Sequence, residues 1–254
     1  MLIKIEKYRK KKHKISRKDV KILDYGCGKG ESVTWFKERG YNNTYGVDIN
    51  PIVIRNGLTL LSEKGYSRKS LELLDKNGKT SFPENYFDFV FSNQVFEHIE
   101  DINKVINEIF RITKENGEGF HLFPAKWGPL EGHLFMPFIH WLPKNHFRKF
   151  LIFFFVSIGL EPRYPRWKET INENKKKRTE IYYNYSVNKT FYRDSSELEG
   201  VFRKFNFHVS LYLFKKNINI RELIRRFVLS NNVLLTQAKK SSNSSMRYFD
   251  EVKK

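Results

Sequence analysis

Cysteine is nearly absent from this chain of 254 residues, in which Cys27 is the only thiol. A single thiol cannot form an internal disulfide, so a disulfide framework of the kind found in small secreted proteins is excluded. No cluster of cysteine and histidine has the spacing of a zinc motif, and the sequence therefore predicts no metal site. These features are typical of a protein in a reducing compartment.

Long hydrophobic runs are also missing. The longest one, residues 151–160 (LIFFFVSIGL), is far shorter than the roughly 20 apolar residues that a helix needs to span a bilayer. The first twenty residues are basic and contain no apolar segment of the kind that marks a secretory signal. We therefore expect a cytoplasmic protein, with peripheral contact to the inner face of the membrane left open.

Acidic residues are scarce relative to basic ones. The chain contains 28 Asp and Glu residues and 47 Lys and Arg residues, which gives a formal net charge of +19. Two basic runs stand out, at residues 9–12 (RKKK) and 175–178 (KKKR). The excess indicates either a well-solvated surface or an acidic partner such as anionic lipid, a phosphorylated substrate or nucleic acid.

The first half of the chain alternates short apolar runs with amphipathic stretches, which predicts a parallel sheet covered by helices. Seven strands are predicted, at residues 21–25, 43–48, 71–74, 87–92, 119–123, 207–214 and 233–237. Helices are predicted at residues 31–39, 51–61, 101–116, 195–205 and 221–229. The best-defined start is Asn50-Pro51, which combines an N-cap residue with a first-turn proline.

Residues 125–190 interrupt this alternation. They contain five of the eight prolines and three of the four tryptophans. We interpret them as an aromatic-rich lid or substrate insertion after the fifth strand. The predicted organisation is therefore a basic N-terminal segment (1–19), one domain (20–238) that includes the insertion, and a polar, mobile tail (239–254).

A glycine-rich turn, residues 26–30 (GCGKG), follows the first predicted strand. Glycines at such a turn let the backbone approach a nucleotide closely. Asp48 lies twenty residues beyond Gly28, at the end of the second strand. A carboxylate at this position can accept hydrogen bonds from ribose hydroxyls, so the two features together predict a nucleoside-containing ligand.

The residue at the third glycine position of the dinucleotide fingerprint is Glu31. A carboxylate at the start of that helix would repel a pyrophosphate, which needs the positive end of the helix dipole. S-adenosylmethionine has no phosphate and carries a sulfonium cation, so Asp24 and Glu31 on the two sides of the loop are compatible with it. The pattern favours S-adenosylmethionine as the cofactor.

Four blocks of the sequence resemble class I S-adenosylmethionine-dependent methyltransferases. Residues 22–30 (ILDYGCGKG) resemble motif I of that class, and residues 46–48 (GVD) resemble its acidic motif after the second strand. Residues 82–98 and 111–119 resemble the later blocks of the type-11 methyltransferase domain, with Glu115-Asn116 where proline and glycine are more usual. The resemblance covers about residues 20–124 and implies a Rossmann-like α/β fold with a seven-stranded, mostly parallel sheet and helices on both faces.

The resemblance also implies roles for individual residues. Gly26 and Gly28 would face the methionine end of the cofactor, Asp48 would hold the ribose hydroxyls, and Ile49 would pack on adenine. Asn93 would line the pocket beside the transferred methyl group. The full set of predicted cofactor-binding residues is Asp24, Gly26, Cys27, Gly28, Gly30, Asp48, Ile49, Asn93 and Gln94. The family's adenine contact near the third strand is one residue out of register here, at Asp75-Lys76.

Methyl transfer to a hydroxyl requires alignment of the acceptor and removal of one proton, for which histidine is the natural base. The candidate histidines are His98, His121, His133 and His140. We predict catalytic roles for His133, at the start of the insertion, and for His98, after the fourth strand. The structural alternatives are a capping role for His98 and a core position for His121, which lies inside a predicted strand.

The acceptor is less well defined by the sequence. The insertion is similar to a lid in methyltransferases associated with surface-glycan synthesis, which implies a saccharide or lipid-linked saccharide hydroxyl, alongside other small molecules. Its segment 134–160 is rich in phenylalanine and carries basic residues. This composition is compatible with docking on an anionic membrane or with a lid helix that packs on the core.

Two alternatives stay open within the same class of enzyme. The positive charge is compatible with an RNA ribose methyltransferase, and the aromatic insertion is compatible with a quinone-type C-methyltransferase. Residues 93–96 read NQVF rather than the Asn/Asp-Pro-Pro-aromatic motif of enzymes that methylate base amines. The sequence therefore argues against nucleic-acid bases as the acceptor.

Overall fold

Short apolar segments form the strands of one seven-stranded sheet in a computed structural model, which describes residues 2–11, 15–211 and 231–239. The strands are β1 (Ile22–Tyr25), β2 (Thr44–Asp48), β3 (Leu71–Leu73), β4 (Phe87–Asn93), β5 (Thr113–Pro124), β6 (Phe207–Leu211) and β7 (Asn231–Ala238). The α-helices are α1 (Leu2–Lys11), α2 (Glu31–Lys37), α3 (Pro51–Glu63), α4 (Ile102–Ile112), α5 (His146–Ser157), α6 (Lys175–Asn188) and α7 (Ser195–Lys204). Within these ranges, no helix is long and apolar enough to cross a membrane.

The strand order is β3-β2-β1-β4-β5-β7-β6, and only β7 runs antiparallel to its neighbours. The predicted Rossmann-like, mostly parallel sheet is confirmed. β1 lies in the interior of the sheet, between β2 and β4, and all four of its residues are buried. The chain order reverses between β1 and β4, so a crevice opens beyond the carboxyl ends of these two strands.

Two predicted helix starts are confirmed by their caps. The Asn50 side chain accepts a hydrogen bond from the Ile52 amide at 3.0 Å, and Pro51 occupies the first turn of α3. Asp101 accepts from the Lys104 amide at 3.4 Å and begins α4, whose apolar face is buried in the core. Local sequence therefore fixes where these helices begin.

The end of α4 differs from the prediction. The helix was expected to continue to Asn116, but it ends at Ile112, and Thr113 already belongs to β5, where it pairs with Phe87 of β4. The Thr113 hydroxyl donates to the Ile109 carbonyl and closes the last turn of the helix. Asn116 adopts a φ of 58°, which is incompatible with a continuing helix. Pairing with β4 outweighs the local helical preference of this segment.

Part of the basic N-terminal segment packs on the domain. Ile5 of α1 is fully buried in a cluster with Ile22 of β1 and Phe89 of β4. Glu6 accepts hydrogen bonds from Tyr41 and from Arg9, and it forms an ion pair with Arg17. The sequence analysis describes residues 1–19 only as a basic segment and predicts no helix there, so α1 was not expected.

The segment 125–190, which we interpret from the sequence as an insertion, lies between β5 and α7. It has a hydrophobic core of its own, which includes Leu134, Met136, Ile152, Trp167 and Tyr182, and α5 packs against α6 within it. The predicted helix at 221–229, the end of the predicted sixth strand and the predicted tail at 240–254 lie outside the described residues.

Candidate active site

The glycine-rich turn connects the end of β1 to α2 with three left-handed residues. Gly26, Gly28 and Gly30 have φ angles of 82°, 54° and 71°. A Cβ on Gly26 would lie 2.3 Å from Cγ2 of Val95, whereas a Cβ on Gly28 would meet no protein atom within 4 Å. Gly26 therefore permits close packing against the loop after β4, and Gly28 leaves open space in front of the turn.

The carboxylate of Asp48 is held by backbone amides. Its Oδ2 accepts from the Gly28 amide at 2.9 Å, and its Oδ1 accepts from the Asn50 amide at 2.9 Å. Each carboxylate oxygen can accept a further hydrogen bond. The neighbouring side chain of Ile49 is 61% exposed, which leaves an apolar surface next to the fixed carboxylate. This pair suits a ribose and an adjoining base.

A cleft of about 430 Å³ lies in front of these residues, at the point where the strand order reverses. Its wall includes Gly26, Asp48, Ile49, Gln94 and His98. The volume is within the range of small-molecule sites. Gln94 has a φ of 57° and donates to the Asn231 side chain at 3.1 Å, so the loop after β4 is tied to β7.

A second cavity of about 330 Å³ lies on the other side of the glycine turn and is lined by Asp24, Cys27, Gly28 and Asn93, among others. Asp24 is 3% exposed, and burial raises its pKa to about 7. A cationic ligand group beside it would restore the carboxylate. All the predicted cofactor-binding residues line one of the two cavities except Gly30, whose role is to close the turn onto α2.

Cys27 is buried in the turn. A Cβ on Gly46 would lie 2.7 Å from its sulfur, so the thiol packs directly on the backbone of β2. Burial raises the pKa of Cys27 and keeps the thiol protonated. Cys27 therefore fills space in the loop as a small buried residue, and it also lines the second cavity.

Two of the four candidate histidines meet at one end of the cleft. The rings of His98 and His133 lie edge to face with their centroids 4.8 Å apart, although 35 residues separate them in the sequence. His98 lines the cleft and His133 lies behind it in the insertion. Burial lowers the pKa of His98 and favours its neutral form.

Each of these rings is oriented through Nδ1. His98 Nδ1 donates to the Lys189 carbonyl at 2.7 Å, and His133 Nδ1 donates to Oε1 of Glu131 at 3.0 Å. Because a carbonyl and a carboxylate only accept hydrogen bonds, Nδ1 of each ring carries a hydrogen, which leaves Nε2 as the ring atom available for a further contact. The backbone carbonyl of His133 also accepts from Trp167 Nε1 at 3.1 Å. The two rings are therefore preorganised.

Two buried glutamates flank the histidines and differ in the number of hydrogen bonds that their carboxylates accept. Glu131 is 2% exposed and accepts from Tyr192, from Nδ1 of His133 and from two backbone amides. Although burial raises its pKa, the hydrogen bonds from His133 and Tyr192 lower it overall. Glu97 is also 2% exposed, but neither of its carboxylate oxygens has a hydrogen-bond partner among the described residues. Burial raises the pKa of Glu97 to about 7.

The other two candidate histidines are not part of this cluster. His121 is fully buried in β5, where Nδ1 lies 2.9 Å from the Ser92 hydroxyl and burial lowers its pKa to about 3. It is a neutral core residue, as its place in a strand indicates. The His140 ring packs at a tilt against Tyr192, with ring centroids 4.7 Å apart, and His140 lines a separate cavity.

Sequence reasoning missed Glu97, Glu131 and Tyr192. Glu97 is adjacent to His98, and Glu131 is two residues before His133, so each acid stands beside a predicted histidine. This proximity was the available signal. The sequence did not reveal that Glu131 accepts several hydrogen bonds whereas Glu97 accepts none from the described residues, because the donors to Glu131 include the distant Tyr192 and the folded backbone.

Part of the chain is similar to known proteins. Residues 23–120 match the methyltransferase domain. A probable tocopherol O-methyltransferase from Oryza sativa is 28% identical over 97 residues, which are 38% of this chain and 27% of the relative. A ubiquinone/menaquinone biosynthesis C-methyltransferase from Burkholderia cenocepacia is 31% identical over 118 residues, or 45% and 48% of the two chains. The matched region is thus less than half the length of these relatives.

Solved structures share the fold over most of the chain. The YcgJ protein of Bacillus subtilis has a TM-score of 0.55 at 12% identity and covers 95% of this chain and 100% of its own. An S-adenosylmethionine-dependent methyltransferase from Mesorhizobium loti has a TM-score of 0.53 at 13% identity, with coverage of 86% and 90%. At these identities the similarity establishes the architecture alone.

Proposed function

We propose that this chain, which belongs to the class I S-adenosylmethionine-dependent methyltransferases, transfers a methyl group to a hydroxyl of a small-molecule, saccharide or lipid-linked saccharide acceptor. The observation that carries the proposal is the pair of oriented histidines, His98 and His133, at the end of the cleft that holds Gly26 and Asp48. The family supplies the class of reaction, and the cluster supports the class of acceptor.

The residues of the cleft fit the cofactor. The open space before Gly28 leaves room for a ligand against the turn, and Asp48 is fixed by two amides where it can accept from ribose hydroxyls. Ile49 offers exposed apolar surface for adenine, and buried Asp24 suits the cationic methionine end. When bound, S-adenosylmethionine supplies a methyl carbon on a positively charged sulfur, so that transfer forms one carbon–oxygen bond, breaks the carbon–sulfur bond and requires the acceptor hydroxyl to lose one proton.

The histidine cluster supports a hydroxyl as the acceptor. A hydroxyl must give up its proton as the new bond forms, and positioned groups that promote this loss accelerate such reactions by about 10²–10⁴. The lone pairs on Nε2 of His98 and His133 serve this purpose, and the hydrogen bonds on Nδ1 hold both rings in place. Loops beyond the carboxyl ends of the strands carry specificity in such sheets, so the insertion would select the acceptor.

A second candidate is C-methylation of a quinone-type ring. It is favoured by the 31% identity to the ubiquinone/menaquinone biosynthesis C-methyltransferase and by the exposed aromatic residues of the insertion, such as Trp127 and Phe138. A phenolic ring also loses a proton, so the cluster is compatible with this acceptor. The two candidates differ in the atom that receives the methyl group.

An acceptor screen with S-adenosylmethionine labelled with ¹³C in the methyl group separates these proposals. We expect label in a polyprenyl-linked saccharide or a free saccharide, with the carbon chemical shift of an O-methyl group. A C-methyl signal on a naphthoquinol would favour the second candidate, and label in RNA would instead support the ribose alternative. Turnover of none of the hydroxyl acceptors, with cofactor binding intact, would contradict the proposal.

We also propose that the insertion docks on an anionic membrane through α5. Phe147, Phe150 and Phe154 are 58%, 64% and 47% exposed and share one face of the helix with Ile158. The opposite face, with Ile152 and Val156, is buried in the core of the insertion. The exposed basic run 175–177 begins α6, which packs beside α5. An apolar face bordered by cations fits a surface of anionic lipid.

Flotation with vesicles tests this docking. We expect the wild-type chain to float with vesicles of phosphatidylglycerol and phosphatidylcholine at low salt, because apolar burial and charge act together. The double substitution Phe150→Ser and Phe154→Ser is expected to reduce the bound fraction at least about tenfold, since each buried Phe side chain contributes about 1.5–3 kcal/mol. Trp35→Ser, which changes an exposed aromatic residue on α2, should bind like the wild type. Equal flotation of the double variant and the wild type would contradict the proposal.

A further inference from the structure

Three potential metal ligands meet beside the cleft. Glu97, His98 and His133 each offer one ligand atom, and these atoms all lie within 4.8 Å of one another. Oε1 of Glu97 is 4.0 Å from Nε2 of His98. A zinc ion binds histidine nitrogen at about 2.0–2.1 Å, so a modest movement of these side chains would place all three around one ion.

The orientation of the two rings is that of metal-binding histidines. Such residues almost always donate their second ring nitrogen to a carbonyl or a carboxylate, which fixes the tautomer and points the other nitrogen at the metal. His98 donates Nδ1 to the Lys189 carbonyl, and His133 donates Nδ1 to Glu131. Glu131 is in turn bound by the Tyr192 hydroxyl at 2.5 Å. Both supporting contacts of a two-histidine site are therefore already in place.

Glu97 supplies the second, independent observation. Its side chain is nine-tenths or more buried, and both of its oxygens lack a hydrogen-bond partner in the described part of the chain. A buried carboxylate without a partner is strongly destabilising unless a cation or a set of donors compensates its charge. The buried carboxylate of Glu131, in the insertion, is by contrast fully compensated by donors of the protein. Glu97 has no such set, and its ligand atom belongs to the cluster with the two histidines.

We propose that Glu97, His98 and His133 bind one divalent transition-metal ion of the zinc type, with at least one coordination position open toward the cleft. Two imidazole nitrogens and one carboxylate select Zn²⁺ and its neighbours over Mg²⁺, which prefers oxygen ligands. His98 lines the cleft and is the most exposed of the three side chains, so the open position faces the acceptor space.

In the proposed methylation of a hydroxyl, the ion would bind the acceptor oxygen. This part of the inference rests on the proposed function. A hydroxyl bound to a zinc-type ion has a lowered pKa and loses its proton to solvent more readily. Acceptors with two neighbouring hydroxyl oxygens, as in a saccharide diol, could fill two positions of one ion. With the ion bound, the two ring nitrogens would act as ligands and no longer as bases, and the ion itself would promote loss of the acceptor proton.

Metal binding is tested on the full, untagged chain after treatment with a chelator. We expect about one Co²⁺ or Zn²⁺ per chain by equilibrium dialysis, and a visible ligand-field spectrum for Co²⁺. Glu97→Gln and His98→Ala should each weaken binding at least about 100-fold, and Glu131→Gln, which removes only the support of His133, about 10–100-fold. His208→Ala changes an exposed histidine on β6 and should leave binding unchanged.

The affinity for S-adenosylmethionine and the circular dichroism of each variant show whether it is folded. Absence of a cobalt spectrum in the folded wild type, or an identical spectrum in folded Glu97→Gln, would overturn the metal site. Turnover measured with and without added Zn²⁺ then separates the two proposals. Stoichiometric metal binding without hydroxyl methylation would contradict the proposed function alone, whereas metal-independent hydroxyl methylation would contradict the metal's role alone.

Discussion

Replacing Gly26 by alanine is expected to weaken the affinity for S-adenosylmethionine at least about 100-fold. The residue has a φ of 82°, and the new Cβ would lie 2.3 Å from Cγ2 and 2.9 Å from Cγ1 of Val95. Contacts this short cannot persist, so either the glycine turn or the loop after β4 must move. Both carry residues of the cleft, and a displacement of about 1 Å there would remove the fit to the cofactor. Isothermal titration calorimetry measures the effect.

Gly40→Ala is a matched control for this substitution. Gly40 has the same φ of 82°, but a Cβ there would meet nothing within 4 Å, and it lies in the turn after α2. It should cost about 1–2 kcal/mol of stability through the left-handed backbone and leave cofactor affinity unchanged. Gly28→Ala is also expected to weaken cofactor affinity. Because the new Cβ would meet no protein atom within 4 Å, this loss would come from a clash between the Cβ and the bound cofactor. Equal affinities of Gly26→Ala and Gly40→Ala would argue against the role of the turn.

Replacing His133 by alanine is expected to reduce turnover about 100-fold, and at least tenfold, with nearly unchanged affinity for S-adenosylmethionine. Its imidazole belongs to the cluster with Glu97 and His98, which we propose promotes loss of the acceptor proton. His133 is not among the residues that line the cleft with Gly26 and Asp48, so cofactor binding there should be unaffected. The carbonyl that accepts from Tyr164 and Trp167 is backbone and remains in the variant.

Single-turnover rates measure the effect of His133→Ala on methyl transfer, and calorimetry measures its effect on the affinity for S-adenosylmethionine. A loss in kcat with an unchanged cofactor Kd is expected. A merely structural role would lower kcat and weaken cofactor affinity together. His208→Ala, on the exposed face of β6, provides the reference for a histidine outside the site. Unchanged turnover of His133→Ala with a verified acceptor would remove this residue from the mechanism.

The placement of the glycine turn and of Asp48 beside one cleft was predictable because its determinants are local. The glycine turn, Asp48 and the cap at Asn50 lie within 25 residues, directly after β1 and β2. Backbone geometry at glycine and side-chain capping are properties of short segments, so their positions can be inferred from residue types alone. Strand and helix periodicity likewise predicted the sheet and the amphipathic face of α4.

Boundaries that depend on long-range pairing were not predictable. The segment after Ile112 has a helical pattern, yet Thr113 joins the sheet because β4 provides a partner for it. α1 has a low apolar content, yet Ile5 is buried because β1 and β4 leave space for it. In both places contacts distant in sequence outweigh local preference.

The sequence by itself determined the fold class and the position of the glycine turn, and it marked His98 and His133 as candidates, since each of these follows from residue type and short spacing. Only the tertiary structure decided that His98 and His133 share one space and that Glu97 lies beside them without a donor. The physical reason is that the insertion folds around its own core and returns to the carboxyl end of β4. Side chains about 35 residues apart thereby become neighbours, and no local pattern encodes that distance.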